Sequence, residues 1–100
     1  MPEPYFVMFH SPGPKWVAGT SLREQPGVDV HIAFMGALMA DGRLALGGPF
    51  LDDSGGMAIV RAASIEEAKR WAETDNSVRD GLLHVEVKPW LAVMDMITPG

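Results

Sequence analysis

Apolar runs and helical patterns alternate along this chain in the order strand, helix, strand, strand, helix, strand. That order predicts an α+β fold, the ferredoxin-like βαββαβ arrangement, with a four-stranded antiparallel sheet and two helices on one face. Residues 5–10 are continuously apolar and aromatic apart from the closing His10, the pattern of a strand covered on both sides. Residues 83–88 instead alternate Leu83, Val85 and Val87 with His84, Glu86 and Lys88, then meet Pro89, which marks an edge strand. The first and third strands are therefore expected at the centre. Two helices cover only one face of such a sheet, yet the central strands read as apolar on both. A homodimer packed through the face away from the helices is expected to cover the other.

The elements follow in order. Residues 11–28 contain Pro12, Gly13, Pro14, Gly19, Pro26 and Gly27, so a long loop is expected, with no helix or central strand running through it. Trp16 and Leu22 give it something to bury, so it should be an ordered flap over the next helix. That helix, residues 30–40, places Val30, Phe34, Met35, Leu38 and Met39 on one broad side with His31 near its centre. Ala33, Gly36, Ala37 and Ala40 form the other side, which has no charge and should be covered by more than water. Asp41-Gly42 stops the helix, and a strand over 44–47 is expected to end at a Gly47-Gly48-Pro49 turn. The turn-rich run Asp52-Asp53-Ser54-Gly55-Gly56 leads back into an antiparallel strand over 57–62. Ser64-Ile65-Glu66-Glu67 reads as a capping box opening an amphipathic helix with Ile65, Ala68, Trp71 and Ala72 inward. Thr74 to Ser77 breaks it. Residues 90–97 continue as an apolar tail.

Composition narrows the function. With 100 residues, 47% of them hydrophobic, residues 1–100 suit one domain with a modest core. Eight basic against thirteen acidic residues, with no basic stripe, argue against nucleic acid as a partner. No cysteine is present, which removes disulfides and thiolate metal sites and makes a cytoplasmic address the default. No apolar run reaches the roughly 18 residues of a spanning helix, so no membrane partner is expected.

Tracing strand directions brings His10, the long loop, His31, residues 47–50, Asp52, Asp53, Asp75 and His84 to one end of the sheet. His31 falls in the first turn of its helix, where the macrodipole disfavours a protonated ring. It is either a core histidine satisfied by a carbonyl or a base oriented by a carboxylate from this end, as general acid–base chemistry requires. A metal site from His10, His31 and Asp52 is geometrically conceivable but lacks any ligand-spacing motif, so the expected metal content is none.

Gly13-Pro14-Lys15-Trp16, Arg23-Glu24-Gln25-Pro26, His31 with Phe34-Met35 and Leu38, Gly42 with Leu44, Gly47-Gly48-Pro49, the Ser64 helix through Asp75, Gly81-Leu82 and Val87-Lys88-Pro89-Trp90 together resemble the YCII-related (YciI-like) family. The resemblance spans nearly the whole chain. It implies a dimeric ferredoxin-like fold, no cofactor, and a His–Asp pair in a pocket, here His31 and Asp75 as catalytic residues. The family commonly follows that aspartate with proline and an aromatic, whereas Asn76-Ser77 stands here, so Asp52 and Asp53 are kept as alternative carboxylates. Trp16, Arg23, Gln25, Gly48, Pro49 and Asp52 are the expected substrate-binding residues. Members resembling this chain include a cofactor-free dehydrochlorinase of a chlorinated hydroxyquinol, and muconolactone isomerase has a similar dimeric fold. The function expected is a cofactor-independent lyase or isomerase for a small aromatic or lactone-like molecule. The alternative is a pocket that binds a small molecule without chemistry, in an accessory or interaction domain.

Overall fold

The computed structural model describes residues 3–97. Its strands β1 (Tyr5–Pro12), β2 (Leu44–Pro49), β3 (Gly56–Val60) and β4 (Leu83–Trp90) form one sheet in the order β2-β3-β1-β4, every neighbouring pair antiparallel. The ferredoxin-like arrangement is present, with β1 and β3 central and β4 at an edge. Phe6 and Met8 are buried toward the helices, and Val7, on the opposite face, is 6% exposed in the single chain. Phe6, Met8, Ala58 and Val60 face the helices and pack with Leu38, Ala68 and Ala72. β4 contributes Val85 and Val87 to that side, as its alternation requires.

Helix α1 (Val28–Ala40) starts two residues earlier than its apolar pattern. Its inward face is narrower than expected: His31 and Leu38 are buried, Phe34 and Met35 half-buried, but Val30 is exposed and Met39 is 66% exposed. A helical wheel gives angles without saying which angle meets a neighbour, and α1 lies with Met39 turned toward open space. Its stop is the expected one, with Gly42 at φ 73° beyond Asp41. β2 also differs from expectation. It runs through Gly47-Gly48-Pro49 instead of turning there, pairing Pro49 with Gly56. An edge strand tolerates proline because its outer N–H needs no partner.

Helix α2 (Ile65–Glu73) is capped by Ser64, whose Oγ accepts from the Glu67 N–H at 3.1 Å. Glu67 reaches back to the Ala63 N–H at 3.2 Å, one residue before the expected reciprocal partner. A single turn, α3 (Asn76–Arg79), follows with Asp75 as its cap.

The long loop packs onto the body of the protein and touches the start of α1 through Leu22, as expected, but it does not cover the bare side of that helix. Gly13 N–H donates to Leu82 O and Lys15 N–H to Gly81 O, both at 2.9 Å. Leu22, on a 3-10 turn (Leu22–Glu24), packs with Leu82 and Leu83, and Trp16, Val28 and Val78 close this second cluster. The loop thus docks on the α3–β4 junction and meets α1 at its first residue. The Ala33, Gly36, Ala37 and Ala40 side of α1 stays exposed in the single chain. Among the described residues, no helix is long and apolar enough to cross a membrane.

One glycine fixes the end of β1. Gly55 has φ 123°, and a Cβ there would lie 1.9 Å from the His10 carbonyl oxygen. Gly55→Ala should lower stability by on the order of 3 kcal/mol through combined strain and overlap. Gly48→Ala, whose Cβ meets nothing within 4 Å, should change it by less than about 0.5 kcal/mol. Urea titration of both variants checks the contrast.

Candidate active site

The β1 end, the first turn of α1 and the α2–α3 junction converge at one end of the sheet. There His31 Nδ1 donates to Asp75 Oδ2 at 2.6 Å, 44 positions away in the chain. Asp75 is 0% and His31 7% exposed. The carboxylate's other oxygen, Oδ1, accepts from the Ser77 N–H at 2.9 Å and the Ser77 Oγ at 2.7 Å. One carboxylate therefore caps α3 and fixes the histidine tautomer, which leaves His31 Nε2 as the basic nitrogen. Burial pushes the Asp75 carboxyl up, but the hydrogen bonds from His31 and Ser77 outweigh it and hold the group below the ordinary carboxylate value.

His31 lines a cavity of about 420 Å³ between α1 and the β2–β3 edge, within the size range of small-molecule sites. Ile32, Met35, Met39 and Leu44 give it apolar walls, and Gly47, Gly48 and Pro49 line its β2 side. The polar end holds His31 and His10, whose rings meet edge to face with centroids 4.7 Å apart. His10 is 2% exposed, and its Nε2 is buried without a hydrogen-bond partner. Burial and the neighbouring His31 bring its pKa down from 6.5 to about 4, against a smaller opposing pull from Asp75.

The remaining expected binding residues divide. Arg23 lines the cavity, as do Gly48 and Pro49 on the β2 wall, and among the described residues Arg23 is its one charged side chain. Gln25 is buried and ties the loop instead: its Oε1 accepts from Val17 N–H, and its Nε2 donates to the Val17 and Thr20 carbonyls, each at 2.8 Å. Trp16 belongs to the Leu22–Leu82–Leu83 cluster and does not line the cavity. Asp52 is exposed and accepts from the Ser54 N–H and hydroxyl, so neither it nor Asp53 pairs with His31. The conceivable metal set changes accordingly. His10, His31 and Asp75, not Asp52, bring one donor atom each within 4.8 Å of one another. Both Asp75 oxygens are already engaged, one by His31 and one by Ser77, which leaves two imidazole nitrogens for a cation.

Two features were under-read in the sequence. Asp75-Asn76-Ser77 after a helix end is an N-cap signal, with Asp75 capping α3. His10 shares the Phe6 and Met8 face by simple alternation, which aims it beneath α1.

Residues 5–91 match the YCII-related domain. The chain belongs to that family. It is 36% identical over 66 residues to the uncharacterized protein YjpA of Bacillus subtilis, covering 66% of this chain and 78% of that one. In fold this YCII-related protein is similar to 5-chloro-2-hydroxyhydroquinone dehydrochlorinase (TftG) from Burkholderia phenoliruptrix AC1100 in complex with 2,5-dihydroxybenzoquinone. The TM-score is 0.61 at 24% identity, over 86% of this chain and 92% of that one.

The histidine at 10 makes a pH signature. With its native pKa lowered from 6.5 to about 4, the unfolded chain binds a proton over that interval that the folded chain refuses. Stability is full above about pH 6.5 and falls as pH drops toward 4, by on the order of 3 kcal/mol. Asp75, held below its ordinary value, loses its contribution as pH falls further. Urea unfolding from pH 7 to 4 should show the first slope, and His10→Phe should flatten it.

Proposed function

We propose that this protein is a cofactor-independent lyase or isomerase for a small oxygenated ring compound, aromatic or lactone-like. The observation that supports this is the buried His31–Asp75 hydrogen bond at the polar end of an apolar cavity. With Nδ1–H committed to Asp75, His31 Nε2 accepts a proton from a position next to a carbonyl or enol, and the carboxylate stabilises the imidazolium that forms. The apolar walls supply the contact surface for the ring. Arg23, the charged side chain of the cavity lining, supplies a positive group to balance negative charge on a ring oxygen, and the open Gly48 lets the ring lie against the strand. The fold it shares with a dehydrochlorinase of a hydroxylated aromatic is in keeping with this class of chemistry.

The test is turnover or solvent-deuterium exchange of 5-chloro-2-hydroxyhydroquinone, catechols and unsaturated lactones, followed by NMR. Wild type should exchange or convert at least one class, His31→Ala should lose activity at least a hundredfold, and Asp75→Asn about as much. Binding without exchange in wild type would replace the enzyme reading by a binding module.

We infer as well a homodimer formed through the sheet face away from the helices. Leu46 on that face is about half exposed, as are Trp90 and Leu91 at the end of β4, and Val93 and Met94 beyond them are more so, an apolar surface a second copy would cover. Light scattering at micromolar concentration should give twice the 10.8 kDa chain mass; a monomer would remove this assembly.

A further inference from the structure

Besides His31, one more imidazole borders the cavity, and no role in the proton transfer above falls to it. His10 sits in β1 with ladder partners on both sides, Gly56 on β3 and Val85 on β4. Gly55 packs so closely on its carbonyl that no side chain fits between. Its backbone is thus fixed from three directions, the kind of support that a binding group needs to hold its aim. Its ring, by contrast, is poorly served. Nε2 is buried with no partner, in a class of atom that folded proteins nearly always satisfy.

A histidine that served only packing would sit better as phenylalanine or leucine, because an unpaired buried nitrogen weakens the fold. His10 lines the same cavity as His31, its ring lies edge to face on the His31 ring at 4.7 Å, and the walls beyond the two are mainly apolar. Among the described residues no acidic side chain lines that cavity, and the carboxylate beside the two rings, Asp75, is already engaged by His31 Nδ1 and by Ser77.

We propose that His10 is a ligand-binding residue of this cavity: its ring hydrogen-bonds one oxygen of the bound ring while His31 engages the adjacent one. The inference rests on the reading of the cavity as a small-ring site and narrows it to rings bearing two neighbouring oxygens, such as catechols and hydroxy-enones. Burial keeps the His10 ring neutral, with one donor and one acceptor nitrogen, so it can serve a hydroxyl or a carbonyl.

The experiment is calorimetric titration of catechol and of phenol, which lacks the second oxygen, into wild type, His10→Phe and His10→Gln. Wild type should bind catechol at least tenfold more tightly than phenol. His10→Phe should lose that preference while melting at the same temperature or higher, and His10→Gln, which restores a polar group near Nε2, should recover part of it. A His10→Phe protein that keeps the preference overturns the proposal, and so does a wild type that binds neither ring or both equally. Should His10→Phe fail to fold, His10→Gln and His10→Leu carry the comparison. The two readings separate cleanly: His31-dependent turnover with a preference indifferent to His10 leaves the proton-transfer function standing and removes this one. A His10-dependent preference without turnover does the reverse.

Discussion

The buried contact between His31 and Asp75 is the constraint around which the rest of this molecule is arranged. Desolvating a carboxylate costs several kcal/mol, and here it is met by three donors, the His31 ring, the Ser77 amide and the Ser77 hydroxyl. Those donors come from α1 and α3, so the two elements can sit only where both reach the same carboxylate. Such a pair is weak evidence for stability, since apolar residues of like volume often do as well. What it secures is geometry: a defined tautomer, a ring that cannot rotate freely, and one nitrogen left toward the cavity.

The loop and sheet around it follow from the same requirement. The loop leaving β1 returns to α1 pinned to the α3–β4 turn by Gly13 and Lys15 and clamped internally by Gln25. This brings the α1 N-terminus against the segment that carries Asp75. Gln25 thus contributes to the site at one remove, by setting the path of the chain, and does not line the His31 cavity.

Much of the fold was legible because local and global signals agree. The unbroken apolar run through Phe6, Val7 and Met8 and the strict alternation ending at Pro89 separate a central strand from an edge strand, and topology follows from that difference. The site was legible only in part. Element directions bring His31 and Asp75 to one end, but they bring Asp52, Asp53 and His84 there too, and spacing alone does not rank them. Asp52 is spent on its own turn through Ser54, a local bond that an Asp-x-Ser sequence favours. The same Asp-x-Ser pattern at 75–77 is buried rather than exposed, and burial is a tertiary fact. Trp16 and Gln25 were harder still, because a loop residue's neighbour is set by where the loop docks.

The burial of α1 carries the last step. Ile32 at 58% and Met39 at 66% exposure are a poor arrangement for a helix whose only purpose is to close a core, since burying both would strengthen it. Both line the cavity, as does Gly36, where a side chain would meet nothing within 4 Å. On α1, Gly36 therefore makes room between the cavity-lining Ile32, Met35 and Met39. The unpartnered His10 nitrogen belongs to the same pattern, a local cost placed at the end of that room and nowhere else among the buried side chains described. Natural proteins concede stability in this way where a ligand completes what the chain leaves open. Apolar walls and unsatisfied imidazole converge on one volume, so the concession is better read as a property of the site than of the core.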